Sequence, residues 1–253
     1  MKKLIFFTIL SLFLNAETIK VGITPYPNAV IMENVKDDLK QLGYDLEVIE
    51  FNDYILPNLA LNDGELDANM YQHKPFLEDF NESKNTDLVA VANVFLPPMA
   101  AYSKKVKDVK DLKDGALIYI PNDPTNESRA LDVLEQAGLI KTNKNVKFRS
   151  VLDITENPKK LDIKELEAAQ VPRTLEECDL AVINTNYALA ANLNPIKDSI
   201  ILEDLNSPYV NVIAVKKGKE EDKKTKALIE VIKTPKIKKI LEEQFKGAII
   251  PAF

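Results

Sequence analysis

His73 is the only histidine in the chain, and it lies in the segment Tyr71-Gln72-His73 shortly before Pro75. A Ser-His-Asp or Cys-His catalytic set would have to use this residue, and no Gly-x-Ser-x-Gly sequence is present to position a serine nucleophile. A metal site with two or more histidines is excluded. Two roles for His73 remain open, a structural hydrogen-bonding role and a functional role in a binding site.

Nucleotide chemistry has no support in the sequence. The chain has seven glycines, and neither a Gly-x-Gly-x-x-Gly sequence nor a phosphate-binding P-loop can be written with them. The carboxylates form no pair that differs from an ordinary solvated surface. The sole cysteine, Cys178, cannot form an intrachain disulfide, and we expect a buried, inert thiol. The sequence therefore predicts no enzyme, no metal and no cofactor.

Arg129 is the candidate for binding an anion. It ends the segment IPNDPTNESR, residues 120–129, which follows an apolar strand and enters a helix that Thr125 or Asn126 is expected to open. A cation in the first turn of a helix opposes the helix dipole, unless it helps to hold an anion there. Two roles for Arg129 stay open. It could bind a ligand carboxylate through two parallel hydrogen bonds from its guanidinium, or it could form a salt bridge to Glu127 or Asp123.

Asn184 and Asn211 are candidates for binding a zwitterion. Asn184 follows the apolar run 181–183, and Asn211 precedes the run 212–215. A side-chain amide can accept a hydrogen bond from an ammonium group and donate one to a carboxylate, which suits a free amino acid. Asparagine is equally common as a turn or cap residue, so this alternative stays open for each of them.

The pattern of apolar runs predicts an α/β fold with mainly parallel sheets, because short strands rich in β-branched residues alternate with helical segments. The predicted strands are 19–23, 46–51, 88–94, 117–120, 146–151, 180–183 and 212–215. A charged stretch at 103–115 separates two groups of these units. We predict a first lobe at 17–103 joined by the returning segment 207–253, a second lobe at 104–206, and a ligand cleft between the two lobes.

Residues 1–16 have the composition of a cleavable signal peptide, with two lysines followed by an apolar run and Ala16. The expected mature protein is exported and periplasmic. Nucleic acid is an unsuitable partner because the formal net charge is −6, whereas binding to phosphates needs clustered excess Lys and Arg.

Eight segments in order along the chain resemble the MetQ/NlpA family of methionine-binding proteins of ABC importers. They are VGITPYPNAVIMENVK (21–36), GYDLEVIEFNDYILPNLALNDGELDAN (43–69), QHKPFL (72–77), IPNDPTNESRAL (120–131), ITENPKKLDIKELEAAQVPRTLEE (154–177), AVINTNYA (181–188), SPYVNVI (207–213) and GAIIPAF (247–253). The resemblance implies the two-lobed periplasmic binding protein fold. It also implies a monomer that binds L-methionine or a similar free amino acid and delivers it to a membrane permease with its ATPase.

Carried over onto these segments, the resemblance assigns Arg129 to the ligand carboxylate and Asn184 and Asn211 to its amino and carboxylate groups. Tyr71, His73 and Phe95 would line the pocket for the apolar side chain, where aromatic faces favour a thioether. Two pocket segments, at Met70-Tyr71 and at residues 95–99, differ from the usual family forms. The alternatives are therefore another small apolar amino acid, a methionine-containing dipeptide, or a surface interaction protein that has kept the fold.

The predicted cleavage point is a further departure, since Ala16-Glu17 stands where family members usually carry the cysteine that is lipid-modified. The family's usual membrane anchor is therefore not expected at this position.

Overall fold

The computed structural model describes residues 16–253, so the predicted signal peptide lies outside the described residues except for Ala16. The thirteen strands are β1 (Glu17–Ile23), β2 (Tyr44–Glu50), β3 (Ala68–His73), β4 (Leu88–Leu96), β5 (Ala100–Tyr102), β6 (Leu117–Pro121), β7 (Lys141–Thr142), β8 (Ile154–Glu156), β9 (Asp162–Leu166), β10 (Leu180–Ile183), β11 (Ile201–Leu202), β12 (Asn211–Lys216) and β13 (Ile250–Pro251). The seven α-helices are α1 (Asn28–Gln41), α2 (Leu56–Asp63), α3 (Lys74–Lys84), α4 (Pro124–Gln136), α5 (Thr185–Ala190), α6 (Lys223–Ile232) and α7 (Pro235–Phe245).

The first sheet has six strands in the order β13-β4-β12-β3-β1-β2. Its strands β1, β2 and β3 are parallel, and β12 runs antiparallel to both β3 and β4. Helices α1, α6 and α7 contribute buried apolar side chains to the core on one face, whereas α2 and α3 cover the other face. Burial of both faces explains why the central strand β12 reads as a nearly continuous apolar run.

The second sheet has five strands in the order β11-β5-β10-β6-β9. Helix α4 packs four apolar residues against one face, namely Ala130, Leu131, Val133 and Leu134. The other face is covered by α5 and by the 3₁₀ turn at Val171–Thr174. The protein therefore has an α/β fold with two lobes, as the sequence predicts.

The chain crosses between the two sheets twice, between Leu96 and Ala100 and again between Leu202 and Asn211. Strand β5, at 100–102, pairs with β10 and β11 of the second sheet, although the sequence-based boundary at residue 103 placed it in the first lobe. The predicted lobe boundaries remain a prediction.

Three sequence-based expectations about strands are wrong. The two large sheets are mixed and not mainly parallel, because β5 and β12 enter them from the crossovers and run antiparallel to their neighbours, as β13 does beside β4. Residues 146–151 form no strand, because this half-exposed stretch pairs with no neighbouring strand in the described chain and runs into a 3₁₀ turn that Ser150 caps. Strand β3 was missed, although all six of its residues are buried. Its sequence ANMYQH looks too polar for a buried strand. The structure satisfies that polarity with a network of amides, in which Asn69 and Gln72 each hydrogen-bond to Asn58 at 2.6 to 2.8 Å.

No helix within residues 16–253 combines the length and the apolar character needed to cross a membrane.

Candidate functional site

Strand register brings three of the predicted site residues together. Asn211 begins β12, and it is the register partner of His73 in β3 on one side and of Phe95 in β4 on the other. The antiparallel direction of β12 places its first residue at the carboxyl ends of β3 and β4. Ligands bind at this edge of open α/β sheets, so residues more than a hundred positions apart in sequence meet where a ligand site is expected.

A pocket lies between the two lobes at this edge, and all six predicted site residues line it. The lining residues are Pro27, Tyr54, Tyr71, Gln72, His73, Phe76, Phe95, Pro97, Asn126, Arg129, Asn184, Thr185, Asn186 and Asn211. Arg129 is the only charged side chain among them, and the rest are aromatic, apolar or neutral polar groups. A mixture of aromatic walls with a few convergent polar groups is typical of a small-molecule site.

A directional chain of hydrogen bonds fixes the polar side of the pocket. The backbone N–H of Phe76 donates to Nδ1 of His73 at 3.1 Å, so Nε2 carries the ring proton and donates to Oδ1 of Asn126 at 3.2 Å. The same oxygen accepts from Nδ2 of Asn184 at 2.8 Å. The Asn126 amide nitrogen in turn donates to the carboxylate of Asp123 at 3.0 Å. The side-chain amides of Asn126 and Asn184 therefore each have only one orientation that satisfies these hydrogen bonds.

This series of hydrogen bonds leaves one acceptor atom without a partner. Oδ1 of Asn184 is buried and accepts no hydrogen bond from any residue in the described part of the protein. The residue is 6% exposed and lines the pocket. A buried amide oxygen without a donor costs about 1–3 kcal/mol, so the group is suited to accept a hydrogen bond from a ligand. Asn211 is held differently, because its Nδ2 donates to the backbone oxygen of Tyr71 at 2.9 Å.

Burial controls the protonation of the groups around the pocket. Burial, assisted by the positive charge of Arg129, lowers the pKa of His73 to about 3, so this residue is neutral at physiological pH. Burial also raises the pKa of the Asp123 carboxyl, although hydrogen bonds from Asn126 partly oppose the shift. The pKa values of Tyr54 and Tyr71 are raised well above the usual range by burial. Both phenols are therefore neutral hydrogen-bond donors.

Arg129 has a different environment from the one expected. Helix α4 begins at Pro124 with Asp123 as its N-cap, so Arg129 lies in the second turn and not in the first. Its salt-bridge partner is neither Glu127 nor Asp123. Nε donates to Oε1 of Glu203 at 2.8 Å, Nη2 forms a shorter bond to Oε2 of Glu203, and Nη2 also donates to the backbone oxygen of Pro97 at 2.9 Å. The guanidinium further stacks over the ring of Tyr209, 4.5 Å from its centroid.

Three aromatic rings form the apolar wall. Tyr54 lies 6.0 Å from Tyr71 and 5.8 Å from Phe76 between ring centroids, and Tyr71 and Phe76 are 6.3 Å apart. The hydroxyl group of Tyr71 donates to the backbone oxygen of Tyr54 at 2.7 Å, which keeps this polar atom paired. Rigid aromatic faces of this kind favour an apolar or thioether side chain.

Sequence reasoning missed several lining residues, including Tyr54, Asn126, Thr185 and Asn186. Tyr54 follows strand β2, and Asn186 comes two residues after Asn184, so both stand just beyond strand ends where ligand residues were expected. Asn126 belongs to the PNDPTN segment, where the sequence predicts only a possible helix cap. The position of a residue after a strand was the available signal for these three.

Comparison with known proteins decides the family. The sequence profile of the NlpA lipoprotein family matches residues 19–253. The chain belongs to this family. A curated NlpA-family relative from Escherichia coli strain K12, named D-methionine-binding lipoprotein MetQ, is 42% identical over 92% of this chain and 87% of its own length.

Solved structures of related proteins agree with the NlpA assignment. A nutrient-binding protein from Burkholderia cenocepacia, determined with bound methionine, superposes with a TM-score of 0.90 at 45% identity, covering 93% of this chain and 100% of the other. An ABC transporter periplasmic substrate-binding protein from Coxiella burnetii has a TM-score of 0.89 at 42% identity, covering 92% of this chain and 100% of the other. The family is one of non-enzymatic substrate-binding proteins.

Proposed function

We propose that this chain is the substrate-binding protein of an amino-acid ABC importer, and that it binds free methionine in the pocket between its lobes. The observation that carries the proposal is the buried Oδ1 of Asn184, which has no hydrogen-bond partner among the described residues. It lies in a pocket that is also lined by Arg129 and by the aromatic wall of Tyr54, Tyr71 and Phe76. The amide oxygen accepts from the ligand ammonium, the guanidinium donates to the ligand carboxylate, and the aromatic wall contacts the thioether.

The geometry of Arg129 limits how it can bind a ligand. Nε and Nη2 are already engaged with Glu203 and Pro97, whereas Nη1 makes no hydrogen bond to any described residue. The ligand carboxylate therefore receives a single charge-assisted hydrogen bond from Nη1, not the two parallel bonds of a free guanidinium. Asn211 lies at the same edge of the sheet and contributes its side-chain amide oxygen to the polar contacts.

The remaining parts of the proposal concern location and partners. The mature protein starts at Glu17, is not lipid-modified there, works in the periplasm as a monomer, and docks on a membrane permease that is driven by an ATPase. It performs no chemistry on its ligand. In support of this last point, the described residues that line the pocket include no serine, cysteine, lysine or carboxylate, and both ring nitrogens of His73 are engaged.

A ligand test decides the proposal. Mass spectrometry of the small molecules released on denaturing the purified protein should detect methionine. Titration calorimetry of ligand-free protein should then rank L- and D-methionine far above aspartate and lysine. The only ionised side chain that lines the pocket, Arg129, is paired with Glu203 and is assigned to the α-carboxylate, so it leaves no partner for a charged side chain. Tighter binding of a charged amino acid, or of valine or alanine, would replace methionine by another ligand, and binding to none of them would favour an interaction protein.

A further inference from the structure

Glu203 is a buried carboxylate with an unusually complete set of partners. It follows β11 on the second crossover between the lobes and is 8% exposed. Its two oxygens accept hydrogen bonds from Nε and Nη2 of Arg129, from the backbone N–H of Met99 at 2.8 Å and from the hydroxyl of Ser207 at 2.9 Å. Met99 belongs to the first crossover and Ser207 to the second, so this carboxylate joins both connections to the residue proposed to hold the ligand.

The consequence for the pocket is electrostatic. Arg129 is 2% exposed and its charge is matched by Glu203 in direct contact, so the pair presents a hydrogen-bond donor to the pocket without a net positive charge. No other ionised side chain lines the pocket among the described residues. The next carboxylate in the hydrogen-bond series is that of Asp123, which accepts from the side-chain amide of Asn126. Its negative charge makes the electrostatic potential in the pocket more negative.

We infer that Glu203 determines the charge selectivity of the pocket, so that it accepts a carboxylate only when the ligand also carries its own ammonium group. The inference rests on the proposed function. A zwitterion adds no net charge to a neutral, buried site, and its ammonium supplies the donor that Oδ1 of Asn184 needs. A carboxylate without the ammonium would bring one uncompensated negative charge out of water, which is strongly unfavourable.

The best probe of this idea is a ligand that differs from methionine only by the ammonium group. 4-(Methylthio)butanoate has hydrogen in its place and adds no bulk. We expect the parent protein to bind methionine at least about 100-fold more tightly than this anion, because both a charge-assisted hydrogen bond and the charge balance are lost. A ratio below about tenfold in the parent protein would overturn the inference without any variant.

Replacing Glu203 by glutamine removes the compensating charge with little change in shape. With its amide oxygen at the Oε2 position, the Glu203→Gln side chain can still accept from the Met99 N–H and from Nη2, and the Ser207 hydroxyl can turn to accept from the new amide nitrogen. Nε of Arg129 loses its acceptor, because that amide nitrogen replaces Oε1. This loss weakens the binding of both ligands alike, so the ratio of their affinities is the quantity to measure. Arg129 then carries a net positive charge into the pocket. A unit charge about 6 Å from the ligand, at an effective dielectric constant of about 20, changes the binding of an anion by roughly 100-fold. Allowing for solvent screening, the affinity ratio should fall by at least about tenfold.

Ser207→Ala is the matched control, because it removes a hydrogen bond from the same carboxylate and leaves its charge intact. The ratio of its affinities for methionine and for 4-(methylthio)butanoate should stay within about twofold of the parent value. If Glu203 were only a structural counterion, Glu203→Gln would weaken both ligands equally and leave the ratio unchanged, and that result refutes the inference. Circular dichroism and thermal melting establish that each variant is folded.

The two proposals fail in different ways. If the parent protein does not bind methionine at all, the proposed function is wrong. If it binds methionine but the ratio of the two affinities does not respond to Glu203→Gln, the proposed function stands and the role of Glu203 is wrong.

Discussion

The hydroxyl group of Tyr54 donates a 2.6 Å hydrogen bond to Oδ1 of Asn186, and this bond joins the two lobes across the mouth of the pocket. Tyr54 follows strand β2 of the first sheet, whereas Asn186 belongs to helix α5 beside the second. A second bond in the same place runs from the hydroxyl of Tyr187 to the backbone oxygen of Asn52 at 3.1 Å. The rings of Tyr54 and Tyr187 are 5.1 Å apart, so aromatic packing and hydrogen bonds together hold the lobes closed.

We expect Tyr54→Phe to accelerate the release of methionine. The variant keeps the ring and its packing but removes the donor to Asn186, which destabilises the closed arrangement by about 1 kcal/mol, or roughly fivefold in population. Dissociation should become faster by a similar factor, measured by chasing bound radiolabelled methionine with unlabelled ligand. Tyr44→Phe is the control, because Tyr44 begins strand β2 far from the cleft and its hydroxyl bonds to no described residue. Equal release rates for all three proteins would show that the contact does not govern opening.

Asn184→Ala tests the proposed partner of the ammonium. The variant removes the buried oxygen, and a hydrogen bond to a charged group contributes about 1.5–3 kcal/mol. Methionine affinity should therefore fall by roughly 10- to 150-fold in titration calorimetry. The affinity for 4-(methylthio)butanoate should fall much less, because this ligand has no ammonium group and makes no hydrogen bond to Oδ1 of Asn184. Asn34→Ala, on helix α1 with its side chain bonded to the backbone of Val30, should leave both affinities unchanged.

Local patterns in the sequence predict the α/β fold and point to Arg129, Asn184 and Asn211, which line one pocket. They fail where the partner of a residue is distant along the chain. The sequence pattern does not predict strand β3, because Asn69, Gln72 and His73 are polar. The fold supplies the partners that make their burial possible, namely Asn58 for Asn69 and Gln72 and Asn126 for His73. Arg129 was recognised from its position after a strand. Its partner Glu203 lies 74 residues further along the chain, and no local spacing links them, because the contact depends on the second crossover passing over helix α4.

His73 provides a test through pH. Its pKa in the folded protein is about 3, against 6.5 for an unperturbed histidine, so below pH 6.5 the unfolded state binds a proton that the folded state does not. The stability contributed by the neutral ring is complete above pH 6.5. It is lost as the pH falls from 6.5 towards 3, at up to about 1.4 kcal/mol per pH unit.

His73→Asn should make the protein less sensitive to acid, since asparagine can still cap helix α3 but does not titrate. We expect the loss of unfolding free energy between about pH 7 and about pH 5 to be smaller in the variant than in the parent by about 1–2 kcal/mol, measured by urea denaturation. Carboxylates elsewhere titrate equally in both proteins and cancel in the comparison. An identical pH dependence would mean that His73 is not held neutral by burial.

Arg129 is the residue on which the proposed ligand site depends most, and the structure determines which substitution can test it. Arg129→Ala would leave the carboxylate of Glu203 buried without its partner, at a cost of about 3–5 kcal/mol in stability. A loss of binding in that variant would therefore not separate ligand contact from folding. Arg129→Lys keeps the positive charge, so it is the more informative change.

A lysine ammonium at this position is a point charge without the planar fork of arginine. It cannot reach both oxygens of Glu203, the Pro97 carbonyl and a ligand carboxylate together. We expect Arg129→Lys to fold, to melt at a modestly lower temperature, and to bind methionine about 10- to 100-fold more weakly in titration calorimetry. Arg149→Lys is the matched control, because Arg149 pairs with Asp132 at 2.6 Å on the same lobe and does not line the pocket. This control should melt lower as well but bind methionine normally. If Arg129→Lys instead binds within about threefold of the parent, then Arg129 serves only as the counterion of Glu203, and the ligand carboxylate is held by other groups.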